Sequence, residues 1–142
     1  MASPLTLAQA NEIIAAALAA SHQHQYKAMA VVVLDDAGHI KAVQREDGAS
    51  MSRVDIATGK AWACVSMGAS SRALLARAKD NPAFFNALAV THGGKFIPQT
   101  GAVPIRDADG RVIGAVGASG GTGDEDEAIC IAGVMAAGLR HE

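Results

Sequence analysis

MAVVVLDDAGHIKAVQ, residues Met29 to Gln44, decides the fold. Met29 to Leu34 is a short apolar run rich in β-branched residues, and His39 to Gln44 is a second strand. Between them, Asp35-Asp36-Ala37-Gly38 has turn chemistry: an Asp side chain accepts nearby backbone N–H groups, and Gly tolerates positive φ. The stretch therefore reads as a hairpin, which makes its strands antiparallel. Farther on, Ala102 to Arg106 and Arg111 to Ala118 are joined through Asp107-Ala108-Asp109-Gly110, and Lys95 to Gln99 reads as one more strand. Hairpins on both sides of a helical excursion predict an α+β chain (α/β in the broad sense) with a five-stranded antiparallel sheet covered by helices.

The helices follow from apolar spacing. Leu7, Ala10, Ile14, Leu18 and Ser21 form one stripe, which predicts a helix over residues 6–25 with Thr6 as its N-cap. Ser52-x-x-Asp55 resembles a capping box and should open a second helix, whose apolar face is Ala57, Ala61, Cys64 and Val65. Two shorter pieces, Ser70 to Lys79 and Pro82 to Val90, are separated by Asp80-Asn81-Pro82. A last helix is expected from Asp124 to Leu139. Its four acidic residues complement the helix dipole, and its remainder is apolar almost all round. Asp55 and that acidic start are expected to support folding rather than chemistry.

Composition narrows the function. The 142 residues fit one domain spanning 1–142, and 31 alanines with 15 glycines point to closely approaching backbones. Twelve basic against fourteen acidic residues give a net charge of −2, with no basic run. Nucleic acid is therefore not an expected partner. Ile13 to Ala20 is apolar but too short to span a bilayer, and Glu12 stands where a signal peptide would carry positive charge. The expectation is a cytoplasmic chain without membrane association. Cys64 and Cys130 stand in no metal-type spacing and read as buried small hydrophobes.

Few residues can carry chemistry. The glycines from Gly114 to Gly123 match neither nucleotide-binding spacing, so close strand-to-helix packing is their expected use. His22 borders the apolar stripe of the first helix, and His92 precedes Gly93-Gly94 at a helix-to-strand junction. Either could ligate a metal, and His92 could also move a proton. Arg45 and Asp47 follow the second strand. Lys60 lies in an apolar helical stretch, where it needs a carboxylate or an anionic ligand unless its head reaches water. Met51 and Cys64 offer soft apolar lining. A pocket is expected where the end of the second strand, the second helix and the His92 loop converge, with the first helix as a wall.

LTLAQANEIIAAAL, VVVLDDAGHIKAVQREDGA, VDIATGKAWA and PQTGAVPIRDADGRVIGAVGASGGTGDEDEAICIAG together cover most of the chain. In these pieces the chain resembles the GlcG/HbpS-like family, which includes the C-terminal domain of PduO-type cobalamin adenosyltransferases. Gly101-Ala102 departs from the family's usual Gly-Gly before V-P-I. The resemblance implies a profilin-like fold, self-association as a homo-oligomer and, for several members, haem binding.

Two functions compete. In a noncovalent haem module, His22 or His92 ligates iron, Arg45 and Lys60 hold the propionates, and Asp47 and Met51 complete the surroundings. In a cofactor-independent tautomerase, isomerase or lyase acting on an oxo-acid, Arg45 binds the carboxylate while His92 or Lys60 moves the proton. A structural oligomer without any ligand is the third reading.

Overall fold

Two Asp-x-x-Gly turns organise the sheet. The computed structural model describes residues 4–142. In the first turn, Asp35 Oδ1 accepts from Ala37 N at 2.9 Å and His39 N at 3.0 Å, and Gly38 closes the turn at φ +82°. The turn joins β1 (Ala30–Asp35) to β2 (Ile40–Arg45). Asp107 Oδ1 repeats the device with Asp109 N and Arg111 N between β3 (Ala102–Arg106) and β4 (Val112–Ser119). β1 also pairs with β4, giving an antiparallel sheet in the order β2-β1-β4-β3.

The fold is α+β, with helices on both faces of this sheet. Alternation along β1 divides the core. Val31 and Val33 face α1 (Leu7–Gln23) and α5 (Gly123–Ala136), whereas Val32 and Leu34 face α2 (Ser52–Met67). α3 (Ser71–Asp80) and α4 (Pro82–Thr91) extend the α2 side. Small residues set the spacing. A Cβ on Gly117 would stand 2.3 Å from the Ala57 carbonyl oxygen, and one on Gly133 would stand 2.5 Å from that of Ile13. The first contact brings α2 onto the sheet and the second brings α5 onto α1.

The sheet has four strands among the described residues, not the expected five. Lys95 to Gln99 pairs with no strand, because Ile97 N donates instead to the Gly59 carbonyl of α2 at 3.2 Å and Pro98 has no N–H to donate. The Ile97 side chain occupies the space over Gly59. Ser52-x-x-Asp55 makes no capping box either. Met51 is already helical at φ −58°, and the Ser52 hydroxyl meets that of Ser50. Complete boxes occur at Thr6 with Gln9 and at Thr122 with Glu125, so α5 begins one residue earlier than its acidic run suggests.

Candidate functional site

The stripe of α2 that faces the sheet carries Arg53, Ala57, Lys60, Ala61 and Cys64. Its apolar members pack against β1 and β4, which draws Lys60 inside with them. Lys60 Nζ donates to the Ala118 carbonyl at 3.1 Å and to Asp126 Oδ2 at 3.0 Å. Asp126 comes from the first turn of α5, and its Oδ1 accepts from Gly121 N at 3.0 Å. Side-chain exposure is 7% for Lys60 and 2% for Asp126, so this is an interior ion pair. Burial pushes the Asp126 carboxyl above its ordinary range, while the Lys60 ammonium pulls the other way.

The other acids of α5 are engaged elsewhere. Asp124 and Glu127 both pair with Arg72 of α3, and Glu125 accepts from Thr122 N at 3.0 Å. Arg53 has no acidic partner within 4 Å among the described residues. Its Nη1 meets Ser119 Oγ at 3.2 Å. Arg53, Lys60, Thr100, Ser119, Gly121 and Asp126 line an open cleft of about 370 Å³ between α2 and the β4–α5 turn. Cys64 and Cys130 are free, buried thiols; burial pushes Cys64 up to about 12 and Cys130 well above its ordinary value, so neither is a ready nucleophile.

The expected pocket does not form as drawn. Arg45 ends β2 and gives its Nη1 to the Ala49 carbonyl at 2.6 Å, with Asp47 exposed beside it. Met51, 82% exposed, precedes α2 at this same end of the sheet. His22 reaches this end from the other face, and its Nε2 pairs with Glu46. His92 lies at the opposite end, where its ring packs 4.6 Å from Trp62 and 5.8 Å from Phe96, and Trp62 abuts Gly38 of the first turn. The cause is the direction of α2, which runs from the end of β2 towards that turn. At 1.5 Å per residue, Met51 and Trp62 are about 16 Å apart along its axis. α1 cannot wall a pocket beside α2, because the sheet separates them. Lys60 meets Asp126 rather than Arg45 or Asp47.

Asp126 and Arg53 are the site residues that sequence reasoning missed. The signal was present: Asp126 heads the row Ile129, Cys130, Gly133 and Val134 at helical spacing, all of them buried. Arg53 likewise stands seven residues before Lys60, on the same stripe.

The sequence profile of the HbpS-like family, described as haem degrading proteins, matches residues 5–135. The chain belongs to the HbpS-like family. Solved structures agree on the fold. Protein ORFY of Klebsiella pneumoniae is 27% identical, with 97% of this chain and 93% of that one covered at a TM-score of 0.87. A double mutant of HbpS from Streptomyces reticuli is also 27% identical, over 95% of this chain and 88% of that one, with a TM-score of 0.82. PduOC, solved as a haem complex, superposes over 99% of both chains with a TM-score of 0.88; at 24% identity it speaks for the fold alone. No curated protein matches the chain. Among the described residues of this HbpS-like chain, no helix is long and apolar enough to cross a membrane, and no three His, Cys, Asp or Glu side chains gather as a metal site.

Proposed function

We propose that this HbpS-like protein binds haem noncovalently at the end of the sheet where β2 closes, with His22 as the axial ligand. The observation that carries the reading is the pairing of an exposed histidine with a fixed carboxylate. Glu46 is held in place because Met29 N donates to its Oε1 at 2.9 Å, while its own N–H donates to the Met29 carbonyl at 2.9 Å. The Glu46 carboxylate in turn holds one ring nitrogen of His22. Such a partner fixes the orientation of a ligating histidine and raises its basicity, and it leaves the second nitrogen for iron. His92 suits the role less well, since its ring is packed between Trp62 and Phe96.

The same end of the sheet carries further groups that a haem would use. A groove of about 370 Å³ at this end is lined by Lys27, Ala28, Ala49, Ser50, Arg53 and Gly120. Lys27 and Arg45 are the cations for propionates, with Asp47 at the rim and Met51 as apolar cover. Haem, when bound, supplies an iron centre for ligand or electron chemistry; the chain supplies the ligand, the charges and the orientation. One copy offers little apolar wall, so a second copy of the chain completes the slot, and the protein works as a homo-oligomer. Lys60 takes no part in this reading.

Haem titration followed by Soret absorbance tests the assignment. Wild-type protein is expected to give a saturable, shifted band. His22→Ala should lose the ligated spectrum, Arg45→Ala should bind about ten- to a hundredfold more weakly, and His92→Ala should match wild type. A wild-type spectrum in His22→Ala would overturn the proposal.

A further inference from the structure

We propose that the cleft between α2, residues 99–100 and the β4–α5 turn binds a small monocarboxylate, with Arg53 as its anchor. The proposal does not rest on haem, and it concerns haem-free protein. Arg53 is half-buried, yet among the described residues no carboxylate lies within 4 Å of it, and its side chain makes one hydrogen bond, to Ser119 Oγ. A guanidinium carries five N–H donors in a rigid fork. Partly withdrawn from water, most of these face no protein acceptor, and a planar carboxylate is the group that matches the fork two bonds at a time.

Charge on the cleft wall sets the ligand's valence. The lining contains Arg53, Lys60, Asp124 and Asp126. Lys60 pairs with Asp126, and Arg72, from outside the cleft, is shared between Asp124 and Glu127. Among the described residues, Arg53 is the cation of this lining that has no salt-bridge partner. One negative charge on the ligand balances it, whereas a second would face the two aspartates. Inorganic phosphate and dicarboxylates are therefore disfavoured, and the volume of about 370 Å³ suits a small molecule. Ser119, 1% exposed at the end of β4, fixes Arg53 in position from below.

Amide chemical-shift titration of the haem-free protein tests this, using sodium pyruvate and sodium acetate against sodium succinate and inorganic phosphate. Saturable shifts are expected at residues 119–124 with the monocarboxylates, and at least about tenfold weaker binding with succinate and phosphate. Arg53→Ala should weaken pyruvate binding about ten- to a hundredfold. Arg53→Lys keeps the charge and loses the fork, so it should also bind more weakly, and it carries the test if the alanine variant fails to fold. Absence of saturable shifts with both monocarboxylates at tens of millimolar overturns the proposal. So does pyruvate binding at wild-type strength in folded Arg53→Ala or Arg53→Lys, or phosphate binding more tightly than pyruvate.

Discussion

The acidic first turn of α5 is tied to the α2 side of the protein twice, once in the interior and once at the surface. Asp126 meets Lys60 under the β4–α5 turn, where both side chains are almost wholly out of water. Asp124 and Glu127 meet Arg72 at the surface, where the side chains of Arg72 and Asp124 are 54% and 82% exposed, although that of Glu127 is only 15% exposed. Both are pairings of a carboxylate with a basic side chain, but the energetics differ. Interior charges have lost their hydration and depend on each other and on the Ala118 carbonyl and the Gly121 N–H. Arg72 and Asp124 keep much of their water, so pairing changes little for them, whereas Glu127 depends on Arg72 more. The hydrogen bonds of Arg72 to Glu127 and Asp124 hold its guanidinium protonated still more firmly than usual, but that charge is never in doubt at any working pH.

Breaking the inner pair should have the largest effect. Lys60→Met leaves Asp126 buried without its cation and is expected to cost about 3–5 kcal/mol in chemical denaturation. Adding Asp126→Leu should restore most of that loss, because two apolar residues no longer strand a charge. A double variant as unstable as Lys60→Met would mean that the pair contributes more than mutual neutralisation.

A smaller effect lies in the pH dependence. Asp126 has a folded-state pKa above its ordinary 3.8, so between those values the folded chain holds more protons than the unfolded one. Its contribution is fully present below about pH 3.8 and is lost as pH rises through the folded value, with a slope of at most about 1.4 kcal/mol per pH unit. Wild type measured against Asp126→Asn should show this falling difference. A difference that rises with pH in that window would contradict the burial of Asp126. Arg72→Ala should have the smallest effect of the three, a slight lowering of the denaturation midpoint that shrinks in added salt, because only the largely buried Glu127 loses a partner that water does not fully replace.

This contrast also marks the limit of what the sequence discloses. Both hairpin turns were legible, because Asp-x-x-Gly carries its own hydrogen bonds within four or five residues. The first helix and its cap were legible for the same reason, being local. Lys95 to Gln99 looked like a strand because its apolar content fits one. Only the nearby helix, which takes its hydrogen bond at Gly59, decides otherwise. Lys60 declared its need for a carboxylate, but its partner lies 66 residues away and was hidden among four acids of equal standing. The candidate pocket failed on direction. Residue types located Arg45, Met51 and His92 on plausible elements, but the course of α2 along the sheet separates the first two from the third. The grouping of His22 with Arg45 likewise depends on Glu46, which links the two faces at one end.

The central strand has a consequence for how the chain comes into being. β1 is the most apolar strand, buried on both faces, and one of its two neighbours is β4, with Ala30 opposite Ser119. During synthesis the Val31–Leu34 run therefore emerges long before the segment that covers its second edge. A nascent chain carrying the β1–β2 hairpin alone presents a bare, strongly β-forming edge to its neighbours on the polysome. Pairing so distant in sequence is also slow to find. Lys27 before the run and Asp35-Asp36 after it place charges at both ends of that segment, where they discourage intermolecular stacking until residue 119 has left the ribosome.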